Sequence, residues 1–505
     1  MRKTLLRNSS SGIFQFIITA ILTFIGIAIF LNKLGSVSYG VFVTVSVIGS
    51  LNVFVSFGLD SSLIKFIAEQ GKTKESNYDI IITFFFLFIF LFPMVILILI
   101  FKDFILNSIL GIPPEFFDNA STLFIFLLFS NVILILGKVF EAILSALQKI
   151  HILNYLQLFY STLNWGLIII ALLFGYRLKE IGFVIFLSTI IWFIMIIVYS
   201  MNIWGSIPSF TGISLNYKRI IKKQLSYSFK IYTSGLIAFF FEPFTKILIA
   251  NFIGIKEVGF YEIALKIKGQ VISILSKAMF PIFPLIAKLS DEKKIRLLVH
   301  DITQKMMFIS VPLILITIFC TNSFVELWLG KDVKIISNSI ISITGIYLLT
   351  VTSTPNFQFL MAKDKVEKTI YIQLVSVIVN LTIILLFYKY LGFYSVIIGN
   401  VFGIFSAFLL NIYYQYKYLH SLIFDSKRQF IYLVISLLII GITGYLLSIG
   451  MNNDLYTLTI MPLFIICVTI LVYRQFRIID LNDVQRYLGS NSKFGKLISV
   501  LLIKN

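Results

Sequence analysis

The stretch EPFTKILIANFIGIKEVGFYEIALKIKGQVISILSK, residues 242–277, sets charged side chains inside runs that otherwise have the composition of lipid-facing helices. A charge near the bilayer centre costs about 2.5–3.5 kcal/mol on insertion scales and is normally turned toward a bundle interior or a wet cavity. On a helix, Glu262, Lys266, Gly269, Gln270, Ser273 and Lys277 fall on one face, while Lys268 falls off it. The preceding segment repeats the pattern. Ser228, Tyr232, Gly235, Glu242 and Lys246 share a stripe, and Glu242 and Lys246 stand at i,i+4, where they can pair. Two adjacent helices with polar seams predict a hydrophilic path through a membrane protein.

Composition supports the membrane reading. The 505 residues are 58% hydrophobic and 13% charged, against about 45–50% apolar and 25% charged in soluble domains. The mean hydropathy is +0.97. The net charge of +19 would favour nucleic acid in a soluble chain; here the basic residues sit in short loops and set topology, so no nucleic-acid partner is expected. Cys320 and Cys467 lie in apolar segments, and His151, His300 and His420 are scattered, so no disulfide, metal or cofactor framework is expected. The apolar run after MRKTLLR continues past Phe30, too long for a signal-peptide core, and reads as an uncleaved first span.

About fourteen spans are expected, near 9–32, 38–60, 79–101, 119–146, 151–174, 180–204, 225–251, 257–285, 304–328, 337–361, 368–390, 393–417, 429–450 and 456–473. With these spans, 29 of the 42 basic residues fall on the side of the termini and 8 on the other, which predicts cytoplasmic termini. The five within spans are Lys138, Lys246, Lys266, Lys268 and Lys277. The tail beyond Arg474 has an apolar end and is expected to lie on the inner membrane surface.

An internal repeat organises the spans. Leu144, Ala146, Lys149, Tyr155, Gln157, Leu158 and Asn164 recur as Leu360, Ala362, Lys365, Tyr371, Gln373, Leu374 and Asn380, at a constant offset of 216 residues. Gly175 matches Gly392 at 217, and NKLGSVSYGVF (32–42) matches NFIGIKEVGFY (251–261) at 219. An offset of six helices keeps both halves in one orientation, a parallel repeat. The expected fold is all-α: an N-terminal lobe over 1–210, a C-terminal lobe over 211–420, two further helices over 421–475 and a cytoplasmic tail over 476–505.

Other polar seams follow. Gln15, Thr19 and Thr23 line the first span, Asn52, Ser56 and Asp60 the second, and Asn131, Lys138, Glu141 and Ser145 the fourth. Pro355, Asn356 and Gln358 lie in the tenth, and Asn400, Asn411 and Gln415 in the twelfth. Amide and hydroxyl seams commonly serve interhelical packing. Glu242 with Lys246, and Lys138 with Glu141, read either as functional charges or as structural pairs. Lys277 has no acid four residues away, which favours a ligand anion, with snorkelling to the interface as the alternative. Pro243, Pro281 and Pro284 are expected to bend the seventh and eighth spans. No HExxH, GxSxG or Walker A sequence is present, so no catalytic residues are assigned.

The combination resembles the Wzx-like polysaccharide-flippase branch of the multidrug/oligosaccharidyl-lipid/polysaccharide (MOP) exporter superfamily. LGSVSYGVF at 34–42, IANFIGIKEVGFYEIALKI at 249–267 and MFPIFPLIAKL at 279–289 carry the resemblance, which covers about 1–475. One departure stands out. Where family members often have an Asp–Lys pair on the seventh helix, this chain has Thr245 beside Lys246, and the acid appears a turn earlier as Glu242. The resemblance implies two lobes around a central cavity in the bacterial cytoplasmic membrane, moving polyprenyl-diphosphate-linked oligosaccharide to the outer leaflet by alternating access. Lys246, Lys266 and Lys277, with Gln270, Gln15 and Asn52, become candidates for the diphosphate-sugar head group. Glu242, Glu141 and Lys138 become candidates for ion coupling or charge pairing. Membrane lipids and polysaccharide assembly enzymes are the further partners expected. Two alternatives remain. A membrane polymerase or ligase should need chemistry on an outer loop, and the longest, about 102–119, carries little. A MATE-type small-molecule exporter should prefer an acidic cavity, which the lysines within spans argue against.

Overall fold

In the computed structural model, every regular element among the described residues is helical. The structure describes residues 2–51, 58–205, 217–279, 286, 289, 291–330, 332–363, 365–421, 427–451 and 453–476. The helices are α1 (Arg2–Ser46), α2 (Leu59–Gln70), α3 (Lys74–Ile100), α4 (Phe117–Ala146), α5 (Ile150–Leu173), α6 (Leu178–Trp204), α7 (Tyr217–Phe241) and α8 (Pro243–Phe252). They continue as α9 (Ile255–Met279), α10 (Glu292–Leu329), α11 (Val333–Ala362), α12 (Val366–Leu391), α13 (Tyr394–Leu419), α14 (Lys427–Ile449) and α15 (Asp454–Phe476). Among the described residues, 11 helical stretches are long and apolar enough to cross a membrane. The chain is thus an all-α, multi-pass membrane protein. Those stretches do not include α9, whose centre is crowded by Glu262, Lys266 and Lys268, or α14, whose described apolar run is the shorter Leu437–Ile449.

Local chemistry explains where helices depart from the spans expected. No loop separates the first two spans: α1 runs through them with a single break at Gly35 (φ 81°, ψ 169°), a backbone that a Cβ would oppose. The second span is not one helix to residue 60. A 3₁₀ turn follows at Val47–Leu51, Gly58 adopts φ 68°, and α2 then extends to Gln70. Helix α10 begins well before residue 304, because the Asp291 carboxylate accepts from the amides of Lys293 (2.9 Å) and Lys294 (3.4 Å) as an N-cap. The seventh span breaks as Pro243 predicts. Helix α7 ends at Phe241 and α8 starts with Pro243 at its first position, where the missing amide costs no hydrogen bond. Pro281 and Pro284 lie outside the described residues.

The chain divides into two compact units, one of residues Met1–Glu262 with Leu385–Val396, the other of Ile263–Ile384 with Ile397–Asn505. In the first, α4 packs along α6, and α1 along α5. Small residues admit large rings at both contacts. A Cβ built on Gly26 would lie 2.2 Å from the Trp165 ring, and one on Gly137 2.5 Å from Trp192. This is how membrane helices gain packing energy without a hydrophobic drive between them. On α3, Ile89, Phe92 and Ile100 are left exposed, as a lipid-facing surface requires. Helix α7 docks through polar groups instead. Gln224 donates to Asp79 Oδ1 (3.1 Å) and accepts from Thr83 (2.8 Å), and Ser228 donates to the Gly58 carbonyl (3.0 Å). Both Asp79 and Gln224 are buried, so each supplies hydrogen bonds that water cannot.

The second unit is built on α10 against α11, with α14 and α15 packed on α10. The amide seams expected in the tenth and twelfth spans close on each other. Asn356 donates to the Asn411 side chain and to its carbonyl (3.0 Å), and Asn411 donates to the Ser353 carbonyl (3.3 Å). These residues join helices.

The repeat has a physical counterpart in the first unit. Gly40 and Gly259, the second glycines of the two matching stretches, meet back to back. A Cβ on Gly40 would fall 1.9 Å from the Ile255 carbonyl oxygen; one on Gly259 would lie 3.0 Å from the Tyr39 ring and 3.5 Å from the Gly40 nitrogen.

Candidate functional site

The decisive segment folds as two helices around a tight turn. Helix α8 ends at Phe252, Gly254 turns the chain with φ 159°, and α9 starts at Ile255. A Cβ at Gly254 would lie 2.4 Å from Glu257 Oε2, so glycine leaves room for the turn. The turn returns α9 alongside α8 and brings Lys246 to Glu262: Nζ and Oε2 are 2.6 Å apart, with side chains 16% and 13% exposed. Removing two charges from water is expensive, and a short, direct contact is what offsets it.

Sequence spacing offered Glu242 as the acid one turn from Lys246; the structure brings Glu262 to that lysine from the next helix. Glu242 occupies the junction between α7 and α8, with φ −104° and ψ −55°. In the sequence, Glu262 stands at the start of the α9 face, four residues before Lys266. Its role depends on the turn at Gly254, which periodicity along one helix does not reveal.

Further along α9, Lys266 is exposed. Lys268, the off-face lysine, is 6% exposed and donates to the Tyr347 hydroxyl of α11 (3.2 Å), with Nζ 4.6 Å from the ring centroid. A cation held this way is stabilised by both the hydroxyl dipole and the ring face. Gln270 Oε1 is buried with no hydrogen-bond partner among the described residues. The side chain of Lys277, and Asn52 as a whole, lie outside the described residues.

The remaining candidates sit elsewhere in the first unit. Gln15 donates to Thr19 (3.4 Å), and Thr23 to the Thr19 carbonyl (2.8 Å), so the stripe on α1 forms as expected. Glu141 on α4 accepts from Gln157 of α5 (3.3 Å), one of the repeated residues, and Lys138 lies one turn before Glu141 on the same helix. Gln15, Lys138, Glu141, Glu242, Lys246 and Glu262 belong to the first compact unit, and Lys266, Lys268 and Gln270 to the second. Among the described residues, no group of three His, Cys, Asp or Glu is placed to hold a metal ion.

This arrangement of helices has parallels among solved structures. The chain superposes on lipid II flippase MurJ in an inward closed conformation with a TM-score of 0.72, at 15% identity, over 95% of this chain and 99% of that one. It superposes on an inward-facing multidrug resistance MATE family transporter of the MOP superfamily at 0.64, with 16% identity over 81% and 98%. A MOP superfamily transporter from Pyrococcus furiosus gives 0.60, with 16% identity over 83% and 96%. The chain therefore shares the fold of these transporters. Residues 5–290 match the family described as polysaccharide biosynthesis protein, and the chain belongs to that family. It is also 22% identical over 353 residues to a putative O-antigen transporter of Shigella flexneri, covering 67% of this chain and 80% of that protein.

Proposed function

We propose that the protein is a flippase that carries polyprenyl-diphosphate-linked oligosaccharide from the cytoplasmic to the outer leaflet of a bacterial inner membrane, with both termini cytoplasmic. The observation that carries this reading is the Lys246–Glu262 pair, set between apolar helices in a chain of the polysaccharide biosynthesis protein family. The resemblance to a putative O-antigen transporter supports a lipid-linked glycan as cargo. Such a substrate is anionic at its diphosphate, polar at its sugars and apolar at its tail. Lysines within the spans suit the diphosphate through charge-assisted hydrogen bonds. Lys246, Lys266 and Lys277 hold that group in this reading, and Gln270, Gln15 and Asn52 contact sugars. Glu262 holds the Lys246 side chain in place until substrate arrives. Glu242, Glu141 and Lys138 couple transport to an ion gradient or balance charge. The repeat-defined lobes, 1–210 and 211–420, rock against each other to alternate access.

A proteoliposome assay with fluorescent polyprenyl-diphosphate oligosaccharide tests this. Lys266→Ala should lower flipping by about tenfold or more, the equivalent of one lost charge-assisted hydrogen bond, while inserting normally. Wild-type rates in that variant would remove Lys266 from the site. Flipping that ignores imposed proton and sodium gradients would remove the coupling role from Glu242 and Glu141.

A further inference from the structure

One cluster of charge lies apart from these residues, where α11 passes to α12 and where α13 ends. Lys365 Nζ sits 3.3 Å from the centroid of the Tyr418 ring, and Lys417 Nζ lies 5.8 Å from the same centroid. Two ammonium groups therefore lie within 6 Å of one aromatic ring. Lys368 lies 5.4 Å from the Tyr371 ring centroid, and Lys417 also approaches Tyr413. Tyr413 meets Tyr414 at a tilt, with ring centroids 5.4 Å apart, and Tyr414 stacks on Tyr418 at 6.2 Å. Among the described residues, two carboxylates bear on the cluster. Glu367 pairs with Lys368 at 3.1 Å, and Glu292 acts on Lys365 from α10. Among the described residues, no carboxylate lies within 4.0 Å of Lys365 or Lys417. Burial holds Lys365 below the usual lysine range; Glu292 opposes the shift, and Lys368 and Lys417 add to it. Like charges gathered on tyrosines at a helix end are an arrangement that an anion would relieve.

The surroundings indicate which anion. Tyr371 is 50% exposed, and Leu374 and Ile378 continue its stripe outward along α12; Leu409 and Tyr413 do the same on α13. These apolar stripes suit acyl chains, and they run into the lysines that would meet a phosphate. Aromatic rings beside basic side chains are the usual marks of the headgroup level. The repeat sharpens the point. Tyr155, the counterpart of Tyr371, is likewise exposed, at 52%, and Lys149 matches Lys365. However, at the 217-residue offset Tyr413, Tyr414, Lys417 and Tyr418 stand opposite Ile196, Ile197, Ser200 and Met201. The second half alone has acquired the shared ring and its second lysine.

We propose that Lys365, Lys368 and Lys417, framed by Tyr371, Tyr413 and Tyr418, form a binding site for the phosphate of an anionic membrane phospholipid whose acyl chains lie along α12 and α13. The site is independent of the transported substrate. Its affinity should fall roughly fivefold for each lysine removed and about thirtyfold for two.

The test uses the full-length purified protein in detergent, titrated with phosphatidylglycerol or phosphatidylcholine and followed by thermal unfolding and native mass spectrometry. Phosphatidylglycerol should stabilise the wild type and remain bound, and phosphatidylcholine should do neither. Lys365→Gln/Lys417→Gln should need about thirtyfold more phosphatidylglycerol for the same shift. If the double variant does not fold, Lys417→Gln alone, at an exposed helix end, should need about fivefold more. An unchanged titration in the variant that folds would overturn the site. So would stabilisation by polyprenyl diphosphate but not phosphatidylglycerol, because the cluster would then serve the substrate. Flipping rates play no part in the readout, so failure of the transport reading leaves this result interpretable.

Discussion

Glu262→Gln is expected to lower stability by about 3–5 kcal/mol, the usual cost of removing one partner from a buried ion pair. The Lys246 ammonium loses the carboxylate 2.6 Å away and remains in a site that excludes most water. Lys246→Met should be comparably costly, because it strands the acid instead. The double variant Lys246→Met/Glu262→Leu should recover most of the loss, since apolar groups of similar volume often replace a buried pair at no net cost. Thermal unfolding in detergent of the wild type, Lys246→Met, Glu262→Leu and the double variant closes this cycle. Transport separates the two roles of the pair: if it binds the diphosphate, the double variant is stable but inactive. A double variant that is both stable and fully active would reduce the pair to architecture.

Gly40→Val should be the most damaging substitution outside the charged residues. Its first added carbon would lie 1.9 Å from a backbone oxygen, that of Ile255, and no rotamer change can relieve a collision with main chain. Overpacking typically costs about 1–3 kcal/mol, and this contact should reach or exceed the upper figure, because α1 and the start of α9 must separate. Gly166→Ala is the control. No atom lies within 4 Å of its would-be Cβ, so the added methyl should stabilise α5 by about 0.5–1 kcal/mol through backbone entropy. Equal unfolding temperatures for Gly40→Val and wild type would show that the two glycine stretches do not meet in this way.

Much of this architecture is legible in one dimension. Hydropathy locates most of the long helices, because a bilayer leaves few other solutions for a long apolar run. The break at Pro243 follows from its missing amide, and the repeat pointed to the glycines at 40 and 259. Helix ends were less visible. The extension of α10 depends on Asp291 as a cap, and the start of α2 at Leu59 follows a glycine with positive φ. The site was readable as a set of charged residues but not as a set of partners. Whether Lys246 meets Glu242 or Glu262 is decided by the Gly254 turn, and the seating of Lys268 on Tyr347 by a helix far along the chain. Pairings across helices have no period in the sequence.

The docking of α7 also has a consequence in time. Asp79 and the amide of Gln224 that satisfies it are 145 residues apart. At roughly 5–20 residues per second, the ribosome makes the acid on the order of ten seconds or more before its partner leaves the exit tunnel. Throughout that interval the Asp79 carboxylate has Gln70 of α2 as a partner but lacks the Gln224 amide. The contacts to Asp79, Thr83 and the Gly58 carbonyl therefore wait for the seventh span, not the sixth.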